Sequence, residues 1–230
     1  EAAAREGHST RALMRMRWVI TRKASNDLKA RLVVQGFTDP DLTSLKSASP
    51  TAPRRARQCF FSIAASLGYH VWKADVTAAF LSGDASEKER NILCEPVEEL
   101  SLALKLKPHE VVRLRKAVYG LVNAPRAWWQ HVNKTMAQLG WEASSVEPCL
   151  WTLRHEGKLV GITCVHVDDF LIGVDKTCAF ARNAMDSFAA ASNFGTWEDR
   201  DFSVCGVHVR QSYARVFSHS MELDQTSYCE

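Results

Sequence analysis

Apolar residues recur at 56, 59, 60, 63, 64 and 67, the spacing of three and four that lines one face of a helix. Pro53 before them and Gly68 after them are start and stop residues, so the pattern predicts a helix over 53–68. The same punctuation returns from Pro125 through Trp128, Val132, Met136 and Leu139 to Gly140, and residues 179–190 read as a further helix. Period-two stretches predict strands elsewhere. Residues 17–21 and 28–34 flank the turn formers Ser25, Asn26 and Asp27, which gives a β-hairpin carrying several cations. Residues 69–76 form a strand broken by Lys73 and Asp75, with a carboxylate near its C-terminal end. The runs 159–167 and 170–174 read as two largely buried strands joined at a tight turn that holds Asp168 and Asp169. Residues 202–209 and 214–217 suggest a final strand pair. Residues 38–52, rich in Asp, Ser, Thr and Pro, predict an irregular surface connection, and 84–110 hold short elements that the pattern does not place.

Length and composition narrow the class. A chain of 230 residues with 46% hydrophobic and 24% charged residues can bury a sizeable core, which excludes a disordered or collagen-like chain. No apolar run reaches the roughly 20 residues of a membrane helix, and a secretory signal is not evident, so a soluble protein is expected. The first residue is Glu1, so the sequence reads as a fragment. Seven widely spread cysteines with no Cys-x-x-Cys pair read as reduced, buried thiols of an intracellular protein, and no zinc-ligand spacing is present. The net charge of +3 hides an asymmetry: residues 1–140 hold 22 Lys and Arg against 13 Asp and Glu, and the remainder holds 7 against 13. A basic half suits a polyanionic partner, although solvated faces give the same count.

Chemistry enters at the carboxylates. Asp168 and Asp169 place like charges side by side, which costs free energy unless a cation neutralises them. The favoured two-residue hairpin turns need positive φ and usually contain Gly, which neither position supplies. Asp75 lies on a strand expected in the same sheet, so three carboxylates would converge. Such an oxygen-rich cluster suits Mg²⁺ better than zinc.

These residues resemble the reverse transcriptases of copia-type retrotransposons. The resemblance rests on five blocks in the family's order. They are Arg17-Trp18-Val19 with Lys29-Ala30-Arg31-Leu32-Val33; Ser49-Pro50 followed by Arg57; Asp75-Val76-Thr77-Ala78-Ala79-Phe80-Leu81-Ser82-Gly83; Tyr119-Gly120-Leu121-Val122-Asn123-Ala124-Pro125-Arg126-Ala127-Trp128; and Val167-Asp168-Asp169. The resemblance implies an α+β polymerase right hand: a palm of ferredoxin-like antiparallel sheet plus helices, with fingers, and a thumb mostly missing. Residues 16–215 would be fingers (about 16–50 and 84–117) and palm (about 51–83 and 118–215), with 1–15 a flank and 216–230 the start of a truncated thumb.

The implied activity is RNA-directed DNA polymerisation within a retrotransposon Pol polyprotein. A primer 3′-hydroxyl attacks the α-phosphorus of a deoxynucleoside triphosphate, with two Mg²⁺ ions, or Mn²⁺ in substitution, at Asp75, Asp168, Asp169 and the Val76 carbonyl. Lys29 and Arg31 resemble the cations that grip the triphosphate, with either able to make the contact. Phe80 falls where the family places an aromatic that excludes a 2′-hydroxyl, and Tyr119 and Gly120 line the nucleotide pocket. Cys205-Gly206-Val207-His208-Val209 is similar to the hairpin that steadies the primer terminus, which gives Gly206, Val207 and His208 to the primer end together with His166, standing where the family usually has Tyr. Asn123 likewise replaces the usual Gln. Implied partners are an RNA or DNA template with primer, dNTPs, and integrase and RNase H regions of the same polyprotein serving DNA integration. No membrane is involved, and the location would be intracellular, in a cytoplasmic particle or the nucleus. The alternatives are an inactive or co-opted nucleic-acid-binding remnant and, from the carboxylates alone, a metal-dependent phosphodiesterase.

Overall fold

The computed structural model describes residues 2–4, 13–22, 26–83, 90–213 and 219–226. In chain order the elements are β1 (Ala2–Ala4), β2 (Leu13–Arg22), β3 (Leu28–Val34), α1 (Arg54–Ser66), β4 (His70–Asp75), α2 (Ala79–Ser82), β5 (Leu93–Glu95), α3 (Glu98–Ala103), β6 (Glu110–Arg113) and α4 (Ala124–Gln138). They continue with β7 (Glu142–Ala143), β8 (Leu150–His155), β9 (Lys158–His166), β10 (Asp169–Val174), α5 (Ala179–Ala191), β11 (Glu198–Asp199), β12 (Asp201–Val204), β13 (Val207–Tyr213) and β14 (His219–Asp224). The fold is a mixture of α and β with three sheets. Contacts divide it into two interleaved units, Glu1–Ser49 with Ala78–His131 and Pro50–Thr77 with Val132–Glu230.

The first unit is built on a five-stranded sheet in the order β1-β6-β5-β2-β3. Its expected hairpin is present: β2 and β3 pair antiparallel with Trp18 opposite Leu32 and Val19 opposite Arg31. Asn26 takes the left-handed conformation, φ 69°, in the connection, while Ser25 lies outside the described residues. Met14, Val34, Ile92, Cys94, Leu114 and Leu121 form the core. The connection after β3 is not wholly superficial, because Asp39 is buried and accepts hydrogen bonds from Arg90 at 2.6 and 2.7 Å. A buried carboxylate needs such a partner, and Arg supplies a fork of donors for it.

The second unit carries a six-stranded antiparallel sheet, β11-β4-β10-β9-β8-β7, and a three-stranded sheet, β12-β13-β14. α1 starts after Pro53 and ends before Gly68, φ 67°, close to the sequence reading. Its buried stripe is Ala56, Phe60, Phe61 and Ala64, whereas Leu67 is 49% exposed and Cys59 is exposed, which corrects the expectation of buried thiols at that position. The helix is therefore turned toward Phe61, the larger apolar group. It packs with Val71, Ile162, Cys164 and Leu171 of the large sheet and Phe202, Val204 and Val209 of the small one. Gln211 fastens the two sheets, its amide donating to the Val71 carbonyl at 2.7 Å and accepting from the Val71 N–H at 3.0 Å. On the opposite face Phe170, Phe188, Phe194 and Trp197 form an aromatic cluster.

One strand reading changes. Residues 202–209 are not one strand but a hairpin, turned at Cys205 (φ 47°) and Gly206 (φ 74°), the paired positive φ of a type I′ turn. β13 pairs next with β14, and residues 214–217 lie outside the described residues. No described helix is long and apolar enough to cross a membrane.

Candidate active site

Asp75 ends β4 and Asp169 opens β10, and the antiparallel register sets them directly opposite. His166, the last residue of β9, is opposite Asp169 on its other side. The three side chains therefore share one face at one end of the sheet, because cross-strand partners point the same way. The turn between β9 and β10 consists of Val167 and Asp168 rather than the two aspartates. Val167 takes the positive φ of 61° that a tight hairpin needs, a conformation strongly disfavoured for a β-branched residue. Strain of this kind collects at functional sites and costs on the order of 1–3 kcal/mol. The turn is tied to β4 by the Val76 N–H, which donates to the Asp168 carbonyl at 3.0 Å.

Electrostatics ties the carboxylates together. Burial raises the Asp169 carboxyl above its usual range; Lys73 opposes the shift, Asp168 and Asp75 add to it, and His166 opposes it. Asp75 and Asp168 are themselves exposed. Lys73 is shared with Glu198 at 2.8 Å, and His166 donates through Nδ1 to the Ala52 carbonyl at 3.1 Å. A carbonyl only accepts, so this bond places a proton on Nδ1. Among the described residues no set of three or more His, Cys, Asp or Glu side chains is already arranged to hold a metal ion. The donor set nevertheless suits a hard divalent cation, being three carboxylates at one sheet end. Gly195 leaves open the space beside the Asp75 carboxylate that a Cβ would fill, 3.1 Å from Oδ1.

The Cys205-Gly206 turn belongs to the same neighbourhood. Burial raises the Cys205 thiol, Arg57 opposes, Asp169 adds, Lys73 opposes and Asp168 adds. Val207 lines a cavity of about 260 Å³ with Arg54, Arg57, Gln58, Phe61 and Leu223. His208 is engaged with Asp201 at 2.7 Å. The first turn of α1 holds Arg54, Arg55 and Arg57 and no acid, the reverse of what the helix dipole favours unless an anion binds there. That run of arginines was a readable signal for Arg54, and Lys73 was visible as a charge interrupting a strand, whereas Gly195 gave none.

The remaining candidates lie in the first unit. Lys29 and Arg31 are two apart on β3 and share a face; Lys29 is exposed, and Arg31 lines a cavity of about 300 Å³ with Met16, Leu81, Val118 and Tyr119. Phe80 meets Tyr119 edge to face, centroids 5.2 Å apart. Gly120, φ 94°, lets two backbones touch: the Val34 N–H donates to the Tyr119 carbonyl at 2.9 Å, and a Cβ on Gly120 would fall 2.0 Å from the Val34 carbonyl oxygen.

Comparison with known proteins agrees with the geometry. The family described as "Reverse transcriptase (RNA-dependent DNA polymerase)" matches residues 6–199. The retrovirus-related Pol polyprotein from transposon RE1 of Arabidopsis thaliana is 31% identical over 180 residues, 75% of this chain and 12% of that protein. The Pol polyprotein from transposon TNT 1-94 of Nicotiana tabacum is 34% identical over 170 residues, 71% of this chain and again 12% of the relative. A transposon Ty1-BL Gag-Pol polyprotein of Saccharomyces cerevisiae is 27% identical over 157 residues, 67% of this chain and 8% of its own length. The chain thus spans a small part of each relative, and it belongs to the reverse transcriptase family of copia-type retrotransposon Pol polyproteins.

Proposed function

We propose that this chain is the RNA-directed DNA polymerase domain of a retrotransposon polyprotein, extending a primer with dNTPs on a nucleic-acid template. The observation that carries the reading is the register of Asp75 against Asp169, with Asp168 in the adjoining turn. Family membership supports it, since relatives are Pol polyproteins.

Asp75, Asp168, Asp169 and the Val76 carbonyl are the groups that would hold two Mg²⁺ ions. Bound there, the ions make the primer 3′-hydroxyl more acidic and neutralise charge on the triphosphate. In the reaction the 3′-oxygen forms a bond to the α-phosphorus, the bond from that phosphorus to the β-phosphate bridging oxygen breaks, and pyrophosphate leaves. The hydroxyl proton goes to solvent or a neighbouring base. Lys29 and Arg31 are assigned to the triphosphate, with Arg suited to bidentate contact. Phe80 is assigned to the sugar edge, with Tyr119 bracing its ring, and Gly120 to the same pocket. His166, Gly206, Val207 and His208 are assigned to the primer end; the electrostatic coupling of the 205–206 turn to Asp168 and Asp169 supports this. The arginines at the start of α1 add positive charge suited to strand phosphates.

Incubation with poly(rA)–oligo(dT), labelled dTTP and Mg²⁺ tests the proposal. Template-dependent elongation with pyrophosphate release is the expected result. Duplex binding without elongation would instead give the binding remnant, and hydrolysis of the strand without dNTP use would give the phosphodiesterase.

A further inference from the structure

The segment from Asn193 to Asp199 runs along the free edge of β4 and ends the catalytic strand's exposure on that side. Thr77 donates its N–H to the Asn193 carbonyl at 2.9 Å, and Gly195 donates its N–H to the Asp75 carbonyl at 2.8 Å. Val76 and Phe194 form an antiparallel bridge between these two bonds. Farther along, Glu198 is opposite Lys73 and Asp199 opposite Trp72. The segment is anchored from beneath by Phe194, whose ring lies 5.4 Å from Phe170, 5.0 Å from Phe188 and 4.9 Å from Trp197. Asp75 is therefore pinned through its backbone on both sides, by β10 and by this segment.

Gly195 stands where the pinning and the carboxylate meet. A Cβ at this position would lie 3.1 Å from Oδ1 of Asp75 and 3.5 Å from both Cγ and Oδ2. Only Oδ1 would be held tighter than ordinary contact, so the carboxylate would have to give by a few tenths of an ångström, while Cγ and Oδ2 would sit at normal van der Waals distance. Nothing in the backbone demands a glycine here, since its φ is not among the positive values.

We infer that Gly195 is a positioning residue for Asp75, holding the strand end by its N–H while its missing side chain keeps open the rotamer in which the carboxylate binds a divalent cation. The inference rests on the two-metal reading given above and adds a residue that touches neither primer nor nucleotide. It makes a distinctive claim: Gly195 acts through the carboxylate of residue 75, so its substitution is harmful only while that carboxylate is there.

The test has two arms on the full 230-residue chain. In the first, Mn²⁺ binding is followed by electron paramagnetic resonance for the wild-type chain and Gly195→Ala; the expected result is about tenfold weaker binding, equal to about 1.4 kcal/mol. In the second, without metal, melting temperatures are measured for wild type, Gly195→Ala, Asp75→Ala and the double variant. Gly195→Ala should lower Tm in the wild-type background and lower it less, or not at all, beside Asp75→Ala. Equal losses in the two backgrounds, or unchanged Mn²⁺ affinity, would overturn the role of Gly195. Should Gly195→Ala not fold, recovery of folding in the double variant supports the inference and continued unfolding overturns it. Absence of Mn²⁺ binding by the wild-type chain would instead overturn the metal reading, a failure told apart because the melting cycle contains no metal.

Discussion

Asp75 and Asp169 are direct cross-strand neighbours on β4 and β10, a placement in which like charges destabilise a sheet. The arrangement is costly for folding and useful for cation binding. Burial first, and then Asp168 and Asp75, raise the Asp169 carboxyl above its ordinary value of 3.8. Since the folded-state value is the higher one, stability from this group is complete below the unfolded value and is lost as pH rises through the raised folded value. In EDTA, Asp169→Asn should therefore melt a few degrees above wild type at neutral pH, with the gap closing below the ordinary aspartate range. Scanning fluorimetry across pH checks this. Mg²⁺ should narrow the gap at neutral pH by stabilising only the wild type.

Phe80 rests edge to face on Tyr119, a contact that favours this placement of its ring. Phe80→Ala should raise the use of ribonucleotides relative to deoxyribonucleotides by about tenfold to a hundredfold, the range for removing a steric barrier in a pocket. Competitive incorporation of rUTP and dTTP measures it, and an unchanged ratio would remove Phe80 from sugar discrimination.

Arg90 is the partner of a carboxylate whose side chain is 0% exposed, Asp39. Arg90→Ala leaves that charge buried and should destabilise the first unit by about 3–5 kcal/mol. Urea unfolding gives the loss, and restoration by Asp39→Asn in the same chain identifies the stranded charge as its cause.

Much of this was readable in the residues. The helices at 54–66 and 124–138 follow from apolar spacing between Pro and Gly, and the β2–β3 hairpin from cationic strands around Asn26. The aspartates were legible because charges interrupt strands that are otherwise buried. The Val167 turn was not, since a β-branched residue at positive φ contradicts local preference and is held only by its surroundings. The hairpin turned at Cys205-Gly206 was legible through the family resemblance, whereas the apolar pattern alone ran it together as one strand, because the turn lacks the Asn or Asp that marks such turns. β5 and β6 escaped because three- and four-residue strands carry too little periodicity. Gly195 matters only through tertiary contact with Asp75, which no local pattern encodes.

The central claim is that residue 75 and residues 168–169, far apart in sequence, bind shared divalent ions. Replacing Mg²⁺ with Fe²⁺ and generating hydroxyl radicals with ascorbate and peroxide cuts the backbone beside the bound ion, and mass spectrometry maps the cuts. Cleavage in both segments, suppressed together by excess Mg²⁺ and lost together in Asp169→Asn, is the predicted result. Cleavage in one segment alone, or in neither, would contradict the account.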